Sequence, residues 1–301
     1  MATMGTIHRN LSWLVVLFAM IAELRRTQIE LTEKNELLAQ LSFKLAKFLP
    51  PQLYNSIFIG AHTTGVAAKR KKLTIFFSDI ANFTETTDSL ESEELTNLLN
   101  QYLTEMSKIA ISHGTTIDKY VGDAIMAFFG DPTSRGSKED AIACVKMAIA
   151  MQRRLRELQL NWLDLGSEKP FQLRVGINTG FCTVGNFGSE DRMDYTIIGN
   201  EVNLAARLQS HAEFGGILVA HETSSPVKDT ILTEEQEPVS LRGFAPPVRV
   251  YRVVGIYDEL EKDRRIIREE RQGVRLLVDL TKGDLAGAIA AVENVLARLR
   301  G

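Results

Sequence analysis

The sequence predicts an α+β protein, and three observations carry that prediction. Apolar runs rich in β-branched and aromatic residues recur along the chain, among them LTIFF (73–77), AIMAFF (124–129) and LRVGI (173–177). Between them lie stretches of helical period, the longest with apolar residues at 95, 98, 99, 102, 103, 106, 109 and 110. Gly122-Asp123 separates two of the apolar runs, a hairpin signal that makes the flanking strands antiparallel. Strands interleaved with long helices around a central hairpin imply helices on one face of a mainly antiparallel sheet.

Composition bounds the rest. The 301 residues are 45% hydrophobic and 24% charged, an ordinary globular balance. A net charge of −3 gives no electrostatic footprint for nucleic acid. The basic run Lys69-Arg70-Lys71-Lys72 reads as a solvated edge, or more sharply as a membrane or phosphate contact. Two cysteines, Cys144 and Cys182, make neither a disulfide framework nor a zinc pattern, which fits a reducing cytoplasm.

In chain order, four segments are expected. Residues 1–49 hold an apolar run, WLVVLFAMIA (13–22), about half the ~20 residues that span a bilayer. That length favours a buried or dimer-packed helix start, the stub of an upstream sensory region, over membrane association through residues 11–24. Leu24, Leu31, Leu38 and Leu45 then recur at heptad spacing, a short parallel coiled coil with leucine at d and a mostly polar a set, Ile21, Gln28, Asn35 and Ser42. A plain amphipathic helix is the alternative. Pro50-Pro51 ends it, and 50–71 reads as a linker. The main domain spans 72–256: a strand over 72–79, a helix over 82–113 stopped by Gly114, and the hairpin of 115–129. A helix over 137–160, a strand over 171–180, a β excursion over 181–198, a helix over 200–211, and strands at GGILVA (215–220) and PVRVYRVVG (247–255) complete it. The tail, 257–301, is expected to be helical: a charged helix in ELEKDRRIIREERQ, then an amphipathic docking helix capped by Asp284.

Chemistry concentrates where strands stop. LTIFF leads to Asp79, and the turn at Gly122 delivers Asp123. Two hard oxygen ligands at strand tips suit a small divalent ion, which takes one or two carboxylates and leaves other positions to water and phosphate. Aspartates also end strands as ordinary turn chemistry. Asn203 and Arg207 lie four residues apart, hence on one helix face.

FSDIANFT, DKYVGDAIMAFF, LRVGINTG and YTIIGNEVNLAARL, in that order, resemble the catalytic domain of class III nucleotide cyclases. They are most similar to bacterial adenylate cyclases with threonine at the purine-selecting position. The resemblance covers about 73–254 and implies a βαββαβ core, ATP as substrate, and two Mg²⁺ (or Mn²⁺) per site. It implies that Asp79, Ile80 and Asp123 hold the metals, that Asn203 orients the ribose, and that Arg207 contacts the α-phosphate. Arg174 matches a family arginine near the terminal phosphates, and Arg242 takes the place of another phosphate-binding base. Phe83 and Thr84 lie in the loop whose backbone N–H groups meet the phosphates.

Lys119 and Thr196 would choose the base. A lysine donating to N1 and a hydroxyl accepting from N6 fit adenine, whereas guanine reverses both groups. The resemblance further implies a homodimer with shared sites, Asp79 and Asp123 from one chain, Lys119, Thr196, Asn203 and Arg207 from the other. One departure stands out: Asn82 replaces the usual glycine of the phosphate loop, where asparagine tolerates the unusual φ. A nucleotide-binding module without turnover, and a guanylate cyclase, are the alternatives.

Overall fold

The computed structural model describes residues 2–46, 68–164, 171–189, 193–282 and 284–300. The chain divides into two units, Met1–His62 and Thr63–Gly301. In the first, helix α1 runs Ala2–Ala46. Its d-position leucines, Leu24, Leu31, Leu38 and Leu45, are all exposed. No described helix is long and apolar enough to cross a membrane. The linker expected over 50–71 falls outside the described residues up to 67, and its last four residues are strand instead.

The second unit opens with β1 (Ala68–Ile80), α2 (Phe83–Ser89) and α3 (Ser92–His113). The hairpin β2 (Thr116–Val121) and β3 (Ala124–Phe129) and the long helix α4 (Ser137–Asp164) follow. Next come β4 (Leu173–Gly188), β5 (Met193–Ile198), α5 (Asn200–His211), β6 (Ile217–Ala220), α6 (His221–Val227), β7 (Ile231–Glu235) and β8 (Val250–Ile256). The single helix expected over 82–113 is thus two, α2 and α3. Helix α6 and strand β7 were not anticipated.

The strands form one sheet in the order β2-β3-β1-β4-β6-β8-β7, with β5 added to β4. Every pairing is antiparallel except β4 with β6. The ladder between β1 and β4 is continuous from Ala68↔Gly185 to Ile80↔Leu173. Side chains of β1 alternate between two cores, as a pleat requires. Phe76 and Ile80 join Tyr102 and Met106 of α3 and Met147, Met151 and Leu155 of α4. Leu73 and Ile75 join Val202 and Ala205 of α5. Each such large apolar side chain, fully buried, contributes about 1.5–3 kcal/mol. Helices therefore cover both faces, not one: α3 and α4 lie on one side and α5 on the other. Three buried hydroxyls, Thr74, Thr179 and Thr223, pass a hydrogen bond from β1 through β4 to α6, each step 3.0 Å.

The tail departs from expectation. After α7 (Tyr257–Lys262), the segment expected to continue as a charged helix is a hairpin, β9 (Ile266–Arg271) with β10 (Val274–Asp279). Ile266, Ile267, Val274, Leu276 and Leu277 are β-branched or apolar residues that charge spacing alone conceals, and Gly273 makes the turn with φ +81°. Helix α8 (Leu285–Arg300) follows, with Asp284 Oδ1 accepting from the Gly287 N–H at 2.8 Å as a cap.

Candidate active site

Asp79 is the penultimate residue of β1 and faces Arg174 across the ladder to β4. Cross-strand neighbours of opposite charge attract, and here the guanidinium forks onto the carboxylate. Nε donates to Oδ1 at 3.0 Å and Nη2 to Oδ2 at 2.8 Å. Both side chains are 22% exposed, so the pair is shielded but open to solvent on one side. The arginine expected near the terminal phosphates is thus bound to the expected metal ligand.

Asp123 occupies the two-residue turn between β2 and β3. Gly122 precedes it with φ +64°, a conformation that a side chain would strain. The turn swings Asp123 against the end of β1, where Oδ2 accepts the Ile80 N–H at 2.7 Å. Burial pushes the Asp123 carboxyl above the usual range, and the neighbouring Asp79 charge adds to the rise. The neighbouring carboxylates of Asp79 and Asp123 form a hard oxygen donor set that a divalent cation suits. Among the described residues no group of three or more histidine, cysteine or carboxylate side chains forms a metal cluster. The pair fits magnesium or manganese, which complete their shells with backbone oxygen, water and phosphate.

Between Asp79 and α2 the chain turns at Asn82, which takes the left-handed conformation, φ 55° and ψ 32°. The asparagine thus reproduces the backbone that a glycine would give. Phe83 points inward, its ring edge-on to Phe171 at 6.1 Å, and Phe171 also meets Tyr102 and Trp162. This aromatic group pins the start of α2 to the core. With its ring so engaged, Phe83 can offer a ligand only its backbone, while Thr84 is exposed.

A second centre lies at β2. The β2–β3 register slips between Ile117 and Lys119, leaving Asp118 as the extra residue of a β-bulge. Its carboxylate accepts the Thr196 hydroxyl proton at 2.5 Å. Lys119 Nζ stands 3.3 Å from the other oxygen. Lys119 and Thr196, expected to act together, are therefore joined through a residue that sequence reading passed over. In a regular strand Asp118 and Lys119 point to opposite faces, so only the bulge reveals their partnership. Strands β2 and β5 lie at opposite ends of the run β2-β3-β1-β4-β5, so the sheet curls to bring them together.

Helix α5 follows β5 directly. It can lie close on β4 because Gly176 has no Cβ: one there would sit 2.1 Å from the Gln209 nitrogen and 2.3 Å from the Ala205 oxygen. Val202, Ala205 and Leu208 are buried, which turns Asn203 outward and leaves Arg207 half-buried. The Arg207 guanidinium lies 6.0 Å from the Phe244 ring centre, in the loop that also carries exposed Arg242. Among the described residues no side-chain hydrogen bond or ion pair holds Asn203, Arg207 or Arg242.

Residues 66–255 match the family described as the adenylate and guanylate cyclase catalytic domain. The chain belongs to that family. This cyclase domain is 56% identical to the solved adenylyl cyclase CyaB from P. aeruginosa, over 63% of this chain and 96% of that one, with a TM-score of 0.62. The solved guanylyl cyclase Cya2 is 36% identical over 63% of this chain and 94% of its own, with a TM-score of 0.60. The terminal-differentiation-specific adenylate cyclase of Dictyostelium discoideum is 34% identical over 203 residues, 66% of this chain. The chain spans only 9% to 41% of the length of the first curated relatives it matches.

Proposed function

We propose that the chain is a cytoplasmic adenylate cyclase that closes ATP to 3′,5′-cyclic AMP. The observation that carries the reading is the meeting of Lys119 and Thr196 on one buried carboxylate. A cationic donor beside a hydroxyl is a pair suited to N1 and the exocyclic amine of adenine. Guanine, with its N1–H and carbonyl, would face a donor with a donor, and a site that leaves polar groups unpaired rejects such an analogue strongly. The likeness to Cya2 keeps guanylate cyclase as the second reading, and Lys119 opposes it. A binding module without turnover would rest on Asn82, which takes the backbone conformation open to glycine.

In cyclisation the 3′-oxygen bonds to the α-phosphorus as the bond to the β-phosphate bridging oxygen breaks, and pyrophosphate leaves. Two magnesium or manganese ions, held by Asp79, Asp123 and the Ile80 backbone, would acidify the 3′-hydroxyl and neutralise the polyphosphate. Asn203 orients the ribose, and Arg207, one turn on, meets the charge that builds on the α-phosphate. The backbone of Phe83 and Thr84, with Arg174 and Arg242, takes the remaining phosphates. A cation at Asp79 would compete with the Arg174 guanidinium for the carboxylate, and Arg174 is freed for phosphate where it turns from Asp79.

The purine centre and the carboxylate centre share no residue, although Lys119 and Asp123 are one tight turn apart. An extended nucleotide therefore engages the purine centre of one chain and the carboxylates of its mate, in a homodimer with two shared sites. Exposed apolar side chains at Tyr120, Val121, Phe181, Met193 and Ile198 on β2, β4 and β5 leave surface for a mate to cover. The heptad leucines of α1 add pairing outside the domain.

Incubating the purified chain with magnesium or manganese and either ATP or GTP, then separating the products, tests the reading. Cyclic AMP from ATP is expected. Cyclic GMP from GTP alone, or no cyclic product from either, rejects it.

A further inference from the structure

The Asp118 carboxylate is unusual in its setting. Its side chain is 1% exposed, on an edge strand, at the one residue the ladder leaves unpaired. A buried carboxylate costs several kcal/mol unless it is paired and hydrogen-bonded. Here burial pushes its carboxyl above the usual range, opposed by the Thr196 hydroxyl, the Lys119 charge and the Ile197 N–H. Nothing in the packing of β2 requires a charge there, since Ile117, its neighbour, packs on the apolar core.

The effect on Thr196 follows from hydroxyl chemistry. A hydroxyl has one proton and two lone pairs, and it rotates to suit its partners. A lone threonine facing a purine could thus donate to a carbonyl or accept from an amine, and would discriminate poorly. Once its proton is directed at Asp118 Oδ2, 2.5 Å away, only lone pairs remain for any other partner. The short distance is that of a charge-assisted bond, so the orientation is strongly held. Lys119, 41% exposed and 3.3 Å from Oδ1, keeps protons to spare for another partner.

We propose that Asp118 is a positioning residue for base selection: by taking the Thr196 proton it makes that hydroxyl an obligate acceptor, so the site admits an exocyclic amine at purine C6 and refuses an oxygen there. The proposal rests on the reading that Lys119 and Thr196 face the base. It goes further in assigning the polarity of Thr196 to a residue that never touches the nucleotide. It also says that threonine works here only because of the bulge. Without it, Asp118 would face away from Lys119 and β5.

The test uses two isosteric competitors of ATP turnover by the full chain. N6-methyl-ATP presents an N–H at C6, and 6-O-methylinosine triphosphate presents an oxygen. Both keep N1 as an acceptor for Lys119. Wild type should bind the N6-methyl compound about tenfold more tightly, the scale of one buried polar group left facing its like. Thr196→Val should abolish that preference, and so should Asp118→Asn, whose amide can donate to Thr196 and release its proton. Equal binding of both compounds by wild type overturns the proposal. So does an Asp118→Asn enzyme that keeps the wild-type preference. If Thr196→Val keeps it as well, Thr196 does not face the base and the underlying reading fails. If Thr196→Val loses it while Asp118→Asn does not, the positioning role alone fails. Should Asp118→Asn not fold, Asp118→Ala carries the same expectation.

Discussion

Arg174 and Asp79 join a proposed phosphate ligand and a proposed metal ligand in a single ion pair. The guanidinium donates one hydrogen bond to each oxygen of the carboxylate proposed to hold a cation, at 3.0 and 2.8 Å. Hydrogen bonds to charged groups contribute about 1.5–3 kcal/mol each before screening, so the competition is not negligible. Arg174→Met keeps an unbranched apolar stem and removes the competitor. Manganese binding in the absence of nucleotide, followed by electron paramagnetic resonance, should tighten by about tenfold. Turnover should fall with a raised KM for ATP, because the same arginine is expected on the phosphates. Unchanged manganese affinity would mean that the pair yields to the cation at no cost.

At the scale of elements, the critical contact is α5 on β4. Gly176→Ala places a methyl against backbone atoms of Ala205 and Gln209, and backbone gives way less easily than a side chain. Destabilisation of about 1–3 kcal/mol is expected in urea unfolding. Activity should fall further than stability alone explains, because α5 carries Asn203 and Arg207 on its outer side. Normal activity with normal stability would show that the helix can slide freely. The helix itself was legible in YTIIGNEVNLAARL, and its boundaries match expectation. So were the strands that deliver Asp79 and Asp123, because apolar runs ending in a carboxylate leave a local mark. The tail hairpin was hidden because the i,i+4 charge pairs Glu261/Arg265 and Arg265/Glu269 read as helix, although the second runs into the strand that opens at Ile266. Asp118 was hidden for another reason: a bulge is a property of two strands, and one strand's sequence does not display it. The Arg174–Asp79 fork likewise depends on register, which no local motif encodes.

At the scale of the whole molecule, two expectations concern pairing. Removing residues 1–62 leaves β1, which starts at Ala68, intact; a cut just before Leu73 would instead delete five of its residues. The shortened chain should fold, dimerise more weakly and lose activity on dilution, as sedimentation and assay over a concentration series would reveal. An unchanged dimer constant would make α1 a tether. The second expectation concerns the shared site. Asp79→Ala and Arg207→Ala, each nearly inactive alone, should rescue each other when mixed, since a mixed dimer gathers both lesions at one site and none at the other. With free exchange at equal amounts, about a quarter of all sites should be intact. If subunits exchange and the mixture stays inactive, each chain builds its own site.

The ladder between β1 and β4 has a consequence for the chain as it leaves the ribosome. Thr74 and Thr179, hydrogen-bonded at 3.0 Å, are 105 residues apart, and Asp79 meets its cross-strand arginine only through the same pairing. Contacts so distant in sequence form late, after their loop-closure entropy is met. A nascent chain holding β1, the hairpin and α4 therefore already carries Asp79 and Asp123 but lacks the strand between β1 and β6. It waits with one side of β1 unpaired, an edge on which other strands could add. Synthesis must run past residue 188 before that edge closes. A translation fragment that stops earlier would consume no nucleotide and would need shielding from its own kind.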